Sequence, residues 1–529
     1  MNNQKLKVVL PLLLSLSMCA GIFIGFKMRD GFPGNSFFSR DKKSSINEVL
    51  ELIKNKYVDD VSFNQLNDTA IDALLSKLDP HSVRIPAAEL QDINDEINGN
   101  FYGIGIEFEI IDDTLNVTNV IEKGPAYNAG VQFGDKFIKA NEKKIASVNM
   151  SSDSIRKIIC GNRGSELKLD IIRKGSPLSL NINRDIIPVN SIEASYMIDK
   201  ETGYIKIDKF TAQTYREFMT ALMDLKKQGL KKMILDLRDN GGGVLDEAIE
   251  IADEFLDGDK LITYTVGKHS PKKEYRCRRL GQFETGKIII LSNEGSASAS
   301  EVLMGALQDW DRATVMGTRS FGKGLVQEQF DLSDNSALRI TIARYYSPLG
   351  RSIQRPYSNG ESAYYKELLD RKNNQAEITE DSLRIAHSKK YKTPAGKILI
   401  DGGGIYPDIY STSDTASITE NTIQLFTSNI INKFVLNLAT ANQNIKNNYK
   451  NAIEFNKNYH INSSDWDNIK NMSYSKKVDI SKLTPAEKDF IETTIKSRLA
   501  RLVWNKNAMY EVTNTEDKTF KKAIEVINQ

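Results

Sequence analysis

A serine flanked by residues too small to cover it, and a lysine set between glycines 25 residues later, carry the plainest chemistry in this chain. The serine run is Gly295-Ser296-Ala297-Ser298-Ala299-Ser300-Glu301, and the lysine turn is Gly322-Lys323-Gly324. An apolar segment, Ile288-Ile289-Ile290-Leu291, precedes the serines, and a helical pattern with Leu303, Ala306, Leu307 and Trp310 follows them. A turn between a strand and a helix presents a nucleophile at the strand end, with backbone N–H groups free at the helix start. A serine hydroxyl is a weak nucleophile and needs an adjacent base. Lysine serves as that base only when neutral, so burial or its neighbours must bring its pKa down from about 10.4. Glycines on either side of Lys323 allow close approach to other backbone. Gln327, four residues on, is placed to orient the lysine by a hydrogen bond. Together these residues suggest a serine hydrolase that uses lysine as its base.

An acyl transfer of this kind also needs two N–H donors for the developing oxyanion. The N–H of Ala299 is one candidate. Gly241 or Gly242, in the turn Asp239-Asn240-Gly241-Gly242-Gly243, is the other. Spacing alone does not decide among Ser296, Ser298 and Ser300; it favours Ser298 only slightly. Each piece also has a plainer reading: serine is a favoured helix cap, and a glycine run is often just a turn. Gly317 to Gly324 nearly matches the phosphate-binding loop G-x-x-x-x-G-K-[ST], but Gly324 stands where the hydroxyl for Mg²⁺ would be. The four histidines, His81, His269, His387 and His460, all lie far from this constellation in sequence.

The rest of the chain must position these groups. At 529 residues it can hold several domains. A net charge of +2 gives no pointer to nucleic acid. Cys19, Cys160 and Cys277 form no metal spacing, and no cofactor is called for. Val8 to Phe26 is free of charge, with Lys5 and Lys7 before it and Lys27 and Arg29 after it. Its length is near the ~20 residues that span a bilayer, so residues 1–30 read as a signal anchor or signal peptide. Residues 31–43 read as a linker and 44–98 as a helical region. Residues 99–185 hold short alternating strands, and 186–415 alternate strands and helices as an α/β core. Within that core, 357–390 are polar and read as a surface helix or excursion. Residues 416–529 are rich in Asn and Lys, with weak helical periodicity, and show no catalytic signal.

Two resemblances sharpen this reading. Tyr102-Gly103-Ile104-Gly105-Ile106, followed by Gly124-Pro125-Ala126 and Ala129-Gly130-Val131…Gly134-Asp135, resembles a PDZ domain. Such a loop offers N–H groups to a peptide's C-terminal carboxylate while the peptide adds as a strand. Across residues 45–410 five motifs occur in order. They are Leu78-Asp79-Pro80-His81-Ser82, the PDZ motifs, Leu235-Asp236-Leu237-Arg238-Asp239-Asn240-Gly241-Gly242-Gly243, Gly295 to Glu301, and Phe321-Gly322-Lys323-Gly324-Leu325-Val326-Gln327. This order resembles the carboxyl-terminal processing peptidases, or tail-specific proteases.

The resemblance implies an α+β multidomain protein: a helical N-terminal segment, a PDZ domain, a ClpP/crotonase-like α/β protease core and a mostly helical C-terminal extension. It implies Ser298 as nucleophile, Lys323 as base and Gln327 as its support, with no metal or cofactor. The expected substrates are exported proteins or peptides with apolar C-termini captured by the PDZ domain. The expected place is outside the cytoplasm, anchored by residues 8–26, with an adaptor protein or a second copy as further partners and no nucleic acid. The family often has proline where this chain has Gly241. A PDZ domain spliced between the N-terminal helices and the core is also expected to gate the site. The competing reading is a catalytically inactive PDZ scaffold.

Overall fold

The structure is a computed structural model and describes residues 15–21, 45–373, 388–412, 418–442 and 444–529. The chain divides into two compact units, Met1–Leu74 and Leu75–Gln529. In the first, residues 15–21 are helical and the helix Ser45–Lys56 follows. The ammonium of Lys54 lies 5.1 Å from the centre of the Phe63 ring. Much of the apolar segment 8–26 falls outside the described residues, and no helix among those described is long and apolar enough to cross a membrane.

The second unit is built around a six-stranded sheet. Ile192–Met197 runs antiparallel to Thr202–Ile207, and Lys232–Asp236, Ile288–Ser292, Thr314–Gly317 and Ile409–Tyr410 follow in parallel. Sequence explains the burial: Met233-Ile234-Leu235 and Ile288-Ile289-Ile290-Leu291 are continuous apolar runs, the mark of strands covered on both faces. On one face lie the helices Thr214–Lys227, Leu245–Asp253 and Ala299–Asp309, with Phe218, Leu222, Ala248, Ala252, Leu303 and Leu307 fully buried. Each of these Phe and Leu side chains contributes about 1.5–3 kcal/mol when wholly withdrawn from water. On the other face Phe520, Ala523 and Ile527 of the last helix, Lys518–Asn528, pack on Tyr204, Ile234 and Leu291. The last helix therefore completes the core around this sheet.

A second sheet carries Leu325–Asp331, Ala337–Tyr346, Leu261–Val266, Lys273–Arg276 and a short strand far upstream, Val83–Ile85. Val83 pairs opposite Arg339 and Ile85 opposite Ala337. This pairing carries the segment just before it, Leu78 to Ser82, to the strand that holds Gln327.

The PDZ region forms its own sheet, with Ile106–Ile111 at one edge and Ser176–Asn183 at the other. Its core is separate and includes Ile104, Leu115, Val117, Phe137, Leu167 and Leu169. Tyr102 and Gly103 lie in a strand, Asn100–Gly103, that pairs with Asp185–Pro188. Ile104 and Gly105 form the link into the edge strand, and Gly105 takes φ +78°, a conformation that favours glycine. The C-terminal helices meet the outward side chains of that strand: Arg501 pairs with Glu107 at 2.6 Å, and Asn432 donates to Glu109 at 3.1 Å.

Candidate active site

Ser298 stands where the buried strand Ile288–Ser292 turns into the helix Ala299–Asp309. Its φ is +55° and ψ −114°, a conformation non-glycine residues rarely adopt. Such a residue costs about 1–3 kcal/mol and persists only where its surroundings hold it. Here they do. The Ser298 N–H donates to Glu301 Oε2 at 2.9 Å, and its carbonyl accepts from the Tyr345 hydroxyl at 3.1 Å. The neighbouring serines are committed to the frame. Ser296 Oγ donates to the Leu237 carbonyl at 2.8 Å, and Ser300 Oγ to the Asn240 carbonyl at 3.0 Å. Both are fully buried, whereas Ser298 keeps partial exposure. The turn after the neighbouring strand is thus the anchor for two of the three serines.

That same turn explains its glycines. A Cβ on Gly242 would lie 2.7 Å from the Ala297 carbonyl oxygen and 2.7 Å from Ser298 Cβ, and one on Gly243 would lie 2.0 Å from the Phe210 carbonyl oxygen. Only glycine permits this approach. At Gly241 a Cβ would meet open space. The Gly242 N–H donates to Asn240 Oδ1 at 2.9 Å, while the Gly241 N–H has no partner among the described residues. Ala299 opens the helix, where the first N–H groups have no intrahelical acceptor.

The lysine turn is joined to the serine turn through Glu301. Its buried carboxylate accepts from the Ser298 N–H, from the Gly322 N–H at 2.7 Å, from the Lys323 N–H at 2.8 Å and from Ser320 Oγ at 2.5 Å. Burial pushes the Glu301 carboxyl up, and these donors pull it back. Tyr345 makes a second bridge, since its hydroxyl contacts the carbonyls of both Ser298 and Lys323. The Gly324 N–H is likewise taken, by Gln354 Oε1 at 2.8 Å. Three successive N–H groups of the apparent phosphate loop are therefore spent on side-chain acceptors.

Lys323 is mostly withdrawn from water. Burial lowers its pKa, the Arg339 guanidinium lowers it further, and the Asp79 and Glu301 carboxylates act in the opposite direction. Its Nζ donates to Gln327 Oε1 at 3.1 Å. Gln327 Nε2 in turn donates to the main-chain carbonyl of His81. His81, far away in sequence, is thus a neighbour of the site. Burial first, and then the Lys323 charge, bring its imidazole down to about 4, so it is neutral at ordinary pH. Its Nε2 is 3.1 Å from the Tyr364 hydroxyl.

The polar helix Glu361–Asn373 lies in the stretch 357–390, read from sequence as a surface helix or excursion, and it supports the lysine turn. Arg371 donates to the Ser320 carbonyl at 3.0 Å, and Arg355, stacked on Phe321 and Tyr364, pairs with Glu367 at 2.5 Å. Arg238 of the glycine-turn motif binds Asp236 through Nη2 at 2.6 Å and also pairs with Asp517, the cap of the last helix. Cys160 and Cys277 are both free thiols.

Profile comparison matches residues 201–358 to peptidase family S41, residues 103–183 to the PDZ domain, and residues 422–505 to a family of unknown function. A carboxy-terminal-processing protease of Bartonella bacilliformis is 38% identical over 316 residues, which are 58% of this chain and 71% of that protein. The chain belongs to peptidase family S41. It is a serine-type peptidase of the carboxy-terminal-processing kind with a PDZ domain, so its substrates are peptides or proteins. A probable CtpA-like serine protease of Staphylococcus saprophyticus is 31% identical, covering 65% of this chain and 70% of its own length. A solved photosystem II D1 C-terminal processing protease is 23% identical over 71% of this chain and 88% of its own, with a TM-score of 0.36.

Among the expected site residues of this S41 peptidase, Ser298, Ala299, Lys323, Gln327, Gly241 and Gly242 belong to one connected network of turns. Tyr102, Gly103, Ile104, Gly105 and Ile106 form the entry to the PDZ edge strand. Glu301, Tyr345, Asp79 and His81 were given no role by sequence reasoning. Glu301 and the 78–82 motif carried a signal in their place among the ordered motifs; Tyr345 carried none.

Proposed function

We propose that this chain is an endopeptidase in which Ser298 attacks the scissile carbonyl and Lys323 accepts its proton. The oxyanion is held by the N–H of Ala299 and, because the Gly242 N–H is already engaged, that of Gly241. The acyl-enzyme is then hydrolysed by water, with Lys323 again as base. The observation that supports this most is the Glu301 carboxylate, which binds the backbone of both the serine turn and the lysine turn. The lowered pKa of Lys323 supports its role as a base. The PDZ domain captures an apolar C-terminus by adding it beside the edge strand Ile106–Ile111. The chain works on exported proteins outside the cytoplasm, held there by residues 8–26.

The test is to incubate the full chain with an unfolded protein ending in apolar residues and to read fragment masses, alongside Ser298→Ala and Lys323→Ala. Cleavage by the parent and by neither variant is expected. Cleavage that survives Ser298→Ala would move the nucleophile elsewhere, and an inert parent would favour the scaffold reading. Deleting residues 101–184 should change turnover of short unstructured peptides; unchanged turnover would mean that the PDZ domain recruits but does not gate.

A further inference from the structure

The motif Leu78-Asp79-Pro80-His81-Ser82 has no part in the chemistry above, yet the fold brings it against the lysine. We propose that the Asp79–Ser82 turn is a positioning device for the base: the His81 carbonyl fixes the amide of Gln327, and Gln327 aims Lys323. This rests on the reading of Lys323 as the base.

The orientation of Gln327 follows from donor and acceptor chemistry. A main-chain carbonyl can only accept, so the Gln327 group that meets His81 O must be the NH₂. Oε1 therefore faces Lys323 Nζ, where it accepts at 3.1 Å. A neutral amine that donates one N–H to a fixed oxygen has its lone pair confined to the remaining directions, which is what a base needs for productive alignment. With the amide reversed, its NH₂ would face the amine and its oxygen would face another oxygen.

The turn is itself held at a set register. The buried Asp79 carboxylate accepts from the His81 N–H at 2.8 Å, the Ser82 N–H at 2.9 Å and Ser82 Oγ at 2.7 Å. Ser82 Oγ then accepts from the Thr341 N–H at 3.2 Å. Thr341 is the residue paired opposite Gln327 in the sheet. The strand that follows, Val83–Ile85, is laddered to the same partner strand. The His81 ring lies edge-on to Tyr364 with centroids 5.5 Å apart and bonds its hydroxyl. The carbonyl that meets Gln327 is thus fixed by the residues on both sides of it.

The experiment is a double-mutant cycle on the full chain between Ser82→Ala and Gln327→Ala, reading kcat/KM for peptide cleavage across pH. Ser82→Ala removes the link to Thr341 without touching Gln327 or Lys323. It should lower kcat by roughly 10-fold with KM little changed, and Gln327→Ala by at least as much. The double variant should be no worse than Gln327→Ala alone, because the turn acts only through that amide. The groups facing Lys323 are Asp79, Glu301, Arg339 and the His81 ring, and Ser82→Ala removes none of them. Losing an acceptor that favours the ammonium should move the acidic limb of the profile to lower pH in both single variants, a shift that general loosening would not produce in common. Multiplying losses in the double variant, or limbs that move differently, overturns the proposal. Full activity of Ser82→Ala and of a second variant, Asp79→Asn, overturns it as well. If Lys323→Ala stays active, the dyad reading falls first, and that result is distinct from additivity in the cycle.

Discussion

Replacing Glu301 by Gln tests the joint between the Ser298 turn and the Lys323 turn directly. The carboxylate accepts two bonds on each oxygen: Ser320 Oγ and the Gly322 N–H on Oε1, and the N–H groups of Ser298 and Lys323 on Oε2. An amide keeps one oxygen and turns the other into a donor, so two of the four buried donors lose their acceptor whichever way it sits. Each such orphan costs about 1–3 kcal/mol, or about 2–6 kcal/mol for the pair. Removing the charge recovers part of the burial penalty on the carboxylate, which favours the low end. About 2 kcal/mol taken from the alignment of Ser298 and Lys323 corresponds to roughly 30-fold in kcat, at 1.36 kcal/mol per decade. If the network instead stays closed, the same energy appears as lost fold stability. Thermal unfolding and steady-state kinetics on the same preparation separate the two. The reasoning is refuted by a Glu301→Gln enzyme whose melting temperature matches the parent and whose kcat lies within about three-fold of it.

Further outcomes follow from the same geometry. With Lys323 as base, kcat/KM rises with pH through its lowered pKa; Arg339→Gln removes a cation that depresses it, so the acidic limb should move to higher pH in a pH–rate profile. His81 is neutral above about 4, so that profile should show no inflection near the ordinary histidine value of about 6.5, and one that disappears in His81→Phe would make the ring a participant. Gly242→Ala drives a methyl group into Ala297 and Ser298 at φ +95° and should cost kcat at least 100-fold, whereas Gly241→Ala meets open space, keeps its N–H and should lose far less. Peptide turnover of the two variants, with circular dichroism to check folding, decides this.

Some of this architecture is carried by local sequence. Buried parallel strands are continuous apolar runs at 233–235 and 288–291, the PDZ edge begins after a glycine link, and the serine turn lies between a strand and a helix. Those features depend on neighbours a few residues apart, so their spacing expresses them. Which of the Ser296, Ser298 and Ser300 hydroxyls stays outside the frame is not expressed there: the carbonyls of Leu237 and Asn240, some 60 residues away, hold the two outer ones. The polar stretch 357–390 reads as a surface helix or excursion because sequence shows only local partners such as Glu367 with Arg371, yet Glu367 also pairs with Arg355 and Arg319, and Arg371 donates to the Ser320 carbonyl beside the lysine turn. His81 looks remote from Lys323 along the chain and is adjacent in the fold, because a three-residue strand pairs with the partner of the strand that holds Gln327. The sequence by itself determined the reactive groups and the elements that present them. The tertiary structure decided which serine hydroxyl is left uncommitted to the frame, and it withdrew the lysine from water and set it against Gln327, because desolvation and hydrogen bonding depend on what the sheets bring together.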